Sequence, residues 1–292
     1  MKRSVLVIAL SSLLLSPLAM AQDLKVVASF SVVGDMVKQI GGDHVQVTDL
    51  VPPNGDPHEF EPTPKDSKTL AQADLVVVNG LGLEGWLNRL VKASGYKGSV
   101  LTASNGIKSL KMEEDGKTVT DPHAWNSMKN GIVYARNIVD ALAKADPDHA
   151  ADYRKQGDSY IQQLQQLDDY AVKTFAAIPK EKRKVLTSHD AFGYFAAAYG
   201  VHFLSPIGYS TEAEASSQTV AKLIKQIKQE HVKTYFIENQ TDPRLVKQIA
   251  DASGAQSGGE LYPEALTDSN GPAATYTAAF KHNVDAIAGS MQ

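Results

Sequence analysis

Eight histidines and no cysteine bound the metal chemistry open to this chain. Any site must be built from His, Asp or Glu, which disfavours a thiolate cluster. The eight are His44, His58, His123, His149, His189, His202, His231 and His282. Three of them sit in loops or at the carboxyl ends of strand-like runs: His58 in GDPHEFEP (55–62), His123 in DPHAW (121–125) and His189 in TSHD (187–190). Pro57 and Pro122 fix their own φ and bias Asp56 and Asp121 toward extended backbone. The chain is therefore stiff immediately before two of the imidazoles, and a stiff ligand loses less entropy when it captures an ion. The other five lie in or beside helices, in a turn or in a strand, with ordinary surroundings, and read as exposed or structurally bonded. There is no His-Glu-x-x-His and no Cys-x-x-Cys, so three strand-end histidines leave both a metal carrier and a zinc hydrolase open.

The elements that must place these side chains alternate. Strand patterns fall at 24–30, 45–51, 75–79, 99–102, 184–188, 201–204 and 234–238. Helical patterns fall at 35–40, 67–73, 83–93, 129–144, 191–199, 217–229, 243–253 and 276–289. This βα alternation implies parallel sheets with helices on both faces. From residue 148 to about 177 there is no proline and Gly157 is the only glycine, while apolar residues keep a helical period. At ~1.5 Å per residue that is one helix ~45 Å long, stopped by Pro179. The expected fold is α/β, with two lobes that each hold a parallel sheet flanked by helices, joined by one long rigid helix. The N-terminal lobe is placed at 22–147, the linking helix at 148–178 and the C-terminal lobe at 179–292. No internal repeat is visible. Ligands bind beyond the carboxyl ends of strands in open α/β sheets, so two histidines of the first lobe and one of the second can face a single cleft.

A net charge of -4 over 292 residues, with no long basic tract, argues against nucleic acid as a partner. Lys2 and Arg3, an apolar run over 5–15, Pro17 and the small residues Ala19 and Ala21 make a secretory leader, 1–21, cleaved after Ala21. The run is shorter than the ~20 residues a bilayer span needs, so no stable membrane insertion is expected. Without cysteine there are no disulfides and no residue to carry a lipid anchor, which places the protein free in a periplasm.

Taken together, GDPHEFEPTP (55–64), DPHAW (121–125), TSHDAFGYFAAAYG (187–200), FIEN (236–239) and LTDS (266–269) resemble the zinc/manganese solute-binding proteins of metal ABC importers. The resemblance is to the cluster A-I group with a rigid linking helix. It implies four metal ligands, His58, His123, His189 and Asp268, with Glu238 and Glu59 as carboxylates supporting the ligands. It implies Zn2+ as the transported ligand, since three imidazoles and a carboxylate suit a borderline-soft ion. Mn2+, which prefers more oxygen donors, comes second and iron third. Manganese-selective members commonly carry Glu at the position of His189. The long His- and Asp-rich loop of many zinc members is missing, because 111–120 is short and has no histidine. A fourth protein ligand closes the position a hydrolase leaves open to water, so the chain is read as a carrier and not an enzyme. The implied partners are an inner-membrane ABC permease with its ATPase, and a metallochaperone; the expected state is a monomer. Because neutral imidazoles bind metal, affinity is expected to fall below pH ~6.5.

Overall fold

Short Val-rich runs at 24–30 and 75–78, almost wholly buried, form the centre of the first sheet, as parallel strands covered by helices require. The computed structural model describes residues 23–114 and 117–292; the expected leader, 1–21, lies outside them. In chain order the first lobe comprises β1 (Leu24–Phe30), α1 (Ser31–Gly41), β2 (Val45–Val51), α2 (Pro64–Ala71), β3 (Leu75–Val78), α3 (Leu87–Ser94), β4 (Ser99–Thr102), β5 (Lys111–Glu114), β6 (Lys117–Thr120) and α4 (Met128–Ala145). Then come α5 (Ala150–Ala176), β7 (Lys184–Leu186), α6 (Gly193–Tyr199), β8 (His202–Leu204), α7 (Ser217–Glu230), β9 (Thr234–Glu238), α8 (Arg244–Ser253), β10 (Gln256–Leu261) and α9 (Tyr276–Gly289). Among the described residues no helix is long and apolar enough to cross a membrane.

The two main sheets are parallel throughout, in the orders β2-β1-β3-β4 and β8-β7-β9-β10. Both follow the order second-first-third-fourth, so the lobes repeat a topology that leaves no trace as a sequence repeat. The order reverses between β1 and β3 and between β7 and β9, and crevices beyond the carboxyl ends of such pairs bind ligands.

Two elements differ from the sequence expectation. Residues 111–114 and 117–120 pair as antiparallel strands, β5 and β6, in place of a plain loop. Strand β10 was not visible in QSGGEL because two glycines and polar residues hide any alternation. Its glycine has a packing reason: a Cβ on Gly258 would lie 2.5 Å from the Phe236 ring on β9.

Helix α5 runs 27 residues, after a 3-10 turn at Pro147–His149. Its buried residues, Tyr153, Gly157, Tyr160, Leu164, Ala171 and Phe175 among them, recur at steps of three and four and form one face. That face packs on α1 and α4 of the first lobe and on α6 and α9 of the second. One apolar core accordingly continues from Val33 and Ile40 through Leu164 to Phe236, while a smaller one, with Leu223 and Ile249, sits under α7 and α8. Gly157 lets α5 approach α4 closely, since a Cβ there would stand 2.2 Å from Val139. Gly157→Leu is expected to lower unfolding stability by about 3 kcal/mol through overpacking, read as a fall in melting temperature. An unchanged melting temperature would show that the two helices separate without cost.

Candidate metal centre

Each loop that presents a histidine or its neighbouring carboxylate is anchored by a buried polar side chain. In the first, Asp56 Oδ1 accepts the His58 N–H at 2.8 Å, and Trp86 Nε1 donates to the Pro57 carbonyl at 3.0 Å. The second DPH tripeptide repeats the device: Asp121 Oδ1 accepts the His123 N–H at 2.9 Å, and Asn79 Nδ2 donates to the Pro122 carbonyl at 3.0 Å. Beyond β10, in Tyr262-Pro263-Glu264, Trp125 Nε1 donates to the Pro263 carbonyl at 2.7 Å. That bond crosses from one lobe to the other. His189, two residues beyond Thr187, is held by Glu238 at the end of β9. Glu238 Oε1 accepts the N–H of Ser188 at 2.9 Å and of His189 at 3.3 Å.

These loops bring His58, His123, His189 and Glu264 together, with one donor atom from each inside a 4.8 Å group and all four side chains buried. Glu264 Oε1 lies 2.7 Å from His123 Nε2, 2.9 Å from His58 Nε2 and 3.4 Å from His189 Nε2; the His58 and His123 Nε2 atoms are 3.3 Å apart. Ligands ~2.0–2.1 Å from a tetrahedral ion stand ~3.3–3.4 Å from one another, so the set needs only a slight expansion to surround one. The opposite ring nitrogens are committed elsewhere. His123 Nδ1 donates to Asp121 at 2.8 Å and His189 Nδ1 donates to Glu238 at 2.5 Å. A carboxylate behind an imidazole fixes the tautomer that leaves Nε2 free to ligate and makes the ring more basic. His189 Nε2 is buried and makes no hydrogen bond.

The charges are arranged for cation capture. Burial works against a charged His123, but hydrogen bonds and charge from Asp121 and Glu264 outweigh it and push its pKa up to about 9. His189 is likewise opposed by burial and raised well above the ordinary value by Glu238 and Glu264. For Glu264 burial favours the neutral form, yet the surrounding imidazoles hold it well below the usual carboxylate range. The site is thus an anionic carboxylate ringed by imidazoles whose protons an incoming cation displaces.

Three of the expected ligands meet here; the expected fourth does not. Asp268 lies on an exposed turn, where its backbone carbonyl accepts the Gly271 N–H at 2.8 Å. The chain turns outward after Leu266, and Glu264, four residues earlier, supplies the carboxylate. One sequence signal could have found it: Pro263 precedes Glu264 as Pro57 precedes His58 and Pro122 precedes His123. Glu238 stands directly behind His189. Glu59 is exposed at the rim of a cavity of about 670 Å³ that reaches His58. The remaining histidines are occupied otherwise. His44 stacks on His149 with centroids 3.9 Å apart, His202 lies beside Glu230, His231 ends α7 in a left-handed turn and His282 donates to the Glu260 carbonyl. Glu238→Ala is expected to weaken metal binding by about 10–100-fold, measured by competition with a chromogenic chelator; unchanged affinity would remove Glu238 from the support of His189.

A two-lobed α/β protein with a closed His/carboxylate cluster between repeated lobes is a solute-binding architecture. Residues 26–290 match the family described as Zinc-uptake complex component A periplasmic, and the chain belongs to it. The family is one of metal-binding, substrate-binding proteins of ABC importers, not of enzymes. The manganese-binding lipoprotein MntA of Halalkalibacterium halodurans is 34% identical over 271 residues, covering 92% of this chain and 89% of its own. The metal ABC transporter substrate-binding lipoprotein SsaB of Streptococcus sanguinis is also 34% identical, covering 90% of this chain and 88% of its own. Among solved structures, the periplasmic zinc binding protein TroA of Treponema pallidum superposes with a TM-score of 0.88 at 31% identity, over 92% of this chain and 99% of TroA.

Proposed function

We propose that this protein captures one divalent transition-metal ion, zinc ahead of manganese, through the Nε2 atoms of His58, His123 and His189 and Oε1 of Glu264. It carries that ion through the periplasm to an ABC permease and its ATPase. The observation that supports this most directly is the convergence of three Nε2 atoms on one buried carboxylate oxygen, with His189 Nε2 in no hydrogen bond. Three nitrogen donors and one carboxylate match the preference of zinc, whereas manganese favours more oxygen. The names of relatives divide, with MntA called manganese-binding and TroA zinc-binding, so manganese is the second reading. Since ligands come from both lobes and the lobes share one core along α5, release is expected through modest loop and lobe shifts instead of a wide hinge. The secretory leader and the absence of cysteine support a cleaved, unanchored periplasmic form. Elemental analysis of protein taken from the periplasm, paired with competitive zinc and manganese titrations, tests the reading. One equivalent of zinc, bound more tightly than manganese, is the expected result. Manganese recovered in place of zinc would transfer the reading to that ion, and no bound metal would sink both.

A further inference from the structure

The last residue of β9 and the two after it act on different parts of the cluster. Glu238 orients His189. Asn239 Nδ2 donates to Asn54 Oδ1 at 3.0 Å and to the Ala265 carbonyl at 3.2 Å, tying together the loops that carry His58 and Glu264. Gln240 Nε2 donates to Glu264 Oε2 at 3.1 Å. Glu264 therefore has its two oxygens assigned to opposite tasks, with Oε1 among the histidine nitrogens and Oε2 bound to an amide. Only the amide nitrogen can donate to a carboxylate, so the orientation of Gln240 follows from the pairing. Its Oε1 is buried without a partner, so Glu264 is the contact that holds this side chain in place.

We infer that Gln240 is a positioning residue that restricts Glu264 to one-oxygen coordination and thereby sets the metal preference. The inference rests on the four-ligand reading above. With Oε2 retained by Gln240, the protein offers three nitrogens and one oxygen, a four-coordinate set that suits zinc. Bringing Oε2 onto the ion requires the carboxyl group to rotate away from Gln240. That costs a partly buried amide, whose oxygen already lacks a partner, its bond to Glu264, which is unfavourable. Freed from the amide, the carboxylate can give both oxygens and raise the coordination number, as oxygen-preferring ions such as manganese require.

Gln240→Leu removes the donor at similar volume, and Gln240→Asn, one methylene shorter, withdraws it from reach while keeping an amide. Zinc and manganese dissociation constants are measured by chelator competition. The visible spectrum of the Co2+ form and X-ray absorption of the Zn2+ form report coordination number. Both variants are expected to bind one ion, to narrow the zinc-over-manganese preference by about tenfold or more and to lose the strong absorption of four-coordinate cobalt. If Glu264→Gln abolishes tight binding in the otherwise native chain but the Gln240 variants keep the native preference and cobalt spectrum, the inference is overturned and the ligand reading stands. If Glu264→Gln binds as tightly as the native chain, the ligand reading itself fails and the inference with it. A purely structural role for Gln240 would weaken both metals alike and leave the spectrum four-coordinate, which also overturns the proposal.

Discussion

Replacing Glu264 by alanine is expected to weaken zinc binding by at least ~100-fold, whereas Asp268→Ala is expected to leave the dissociation constant within about twofold. The first figure is a lower bound, because loss of a group that merely supports a ligand already costs ~10–100-fold. Glu264 is completely buried and its Oε1 is the shared neighbour of three Nε2 atoms. Without it, three imidazoles remain around an open position, the arrangement of a catalytic site more than of a storage site. Asp268 lies on an exposed turn and is absent from the cluster. Chelator competition on both variants, with circular dichroism to confirm folding, compares the two carboxylates directly. The opposite order, with Asp268→Ala the damaging change, would return the fourth ligand to the LTDS stretch and dismantle the cluster proposed above.

The second large effect is the pH dependence of capture. His123, raised from 6.5 to about 9, is protonated at neutral pH in the metal-free protein, and His189 is raised in the same direction. Both Nε2 atoms must be free of protons to ligate, so binding releases protons and affinity climbs with pH until about 9. The window lies above the ordinary histidine value near 6.5 on which the sequence expectation rested. The sign for stability follows from the same groups. A raised histidine pKa stabilises the metal-free fold fully below about 6.5, and that contribution is lost as pH rises through about 9. The depressed Glu264 contributes above its ordinary carboxylate range and is lost only as pH falls through its lowered value. Metal-free protein therefore weakens from pH 6.5 to 9 while metal affinity strengthens, and the rise in melting temperature on adding zinc should widen over that interval. Calorimetric titration in two buffers of different ionisation enthalpy counts the protons released; one or more per ion is expected. Zero protons released at pH 7, with affinity flat from 6.5 to 9, would mean the cluster is deprotonated before metal arrives.

Much of the fold was legible because its signals are local. The Val-rich strands, the helical period of α5 and its ending shortly before Pro179, and the bounds of β9 and α9 follow from side-chain spacing and backbone punctuation. Strand β10 was not legible, because QSGGEL has no alternation of its own and exists as a strand through pairing with β9 and the close approach of Gly258 to Phe236. The pairing of β5 with β6 was missed for a similar reason: strands of four mostly polar residues carry no apolar alternation to read.

The site divides along the same line. Three imidazoles, their strand-end positions, the prolines that stiffen two of them and the exclusion of thiolate chemistry were all readable along the chain. Those are properties of residue type and immediate neighbours. Which of two carboxylates four positions apart stands beside those imidazoles depends on how the lobes pack. Glu264 and Asp268 are equally acceptable as oxygen donors, and what separates them is the direction of the chain after β10. The Pro263 carbonyl is bound by Trp125 of the other lobe, which turns Glu264 inward, and by Asp268 the chain has reached solvent. A contact between residues 138 apart in sequence has no local signature; the proline before Glu264 marks it as a candidate beside His58 and His123, and the packing of the two lobes around it separates it from Asp268.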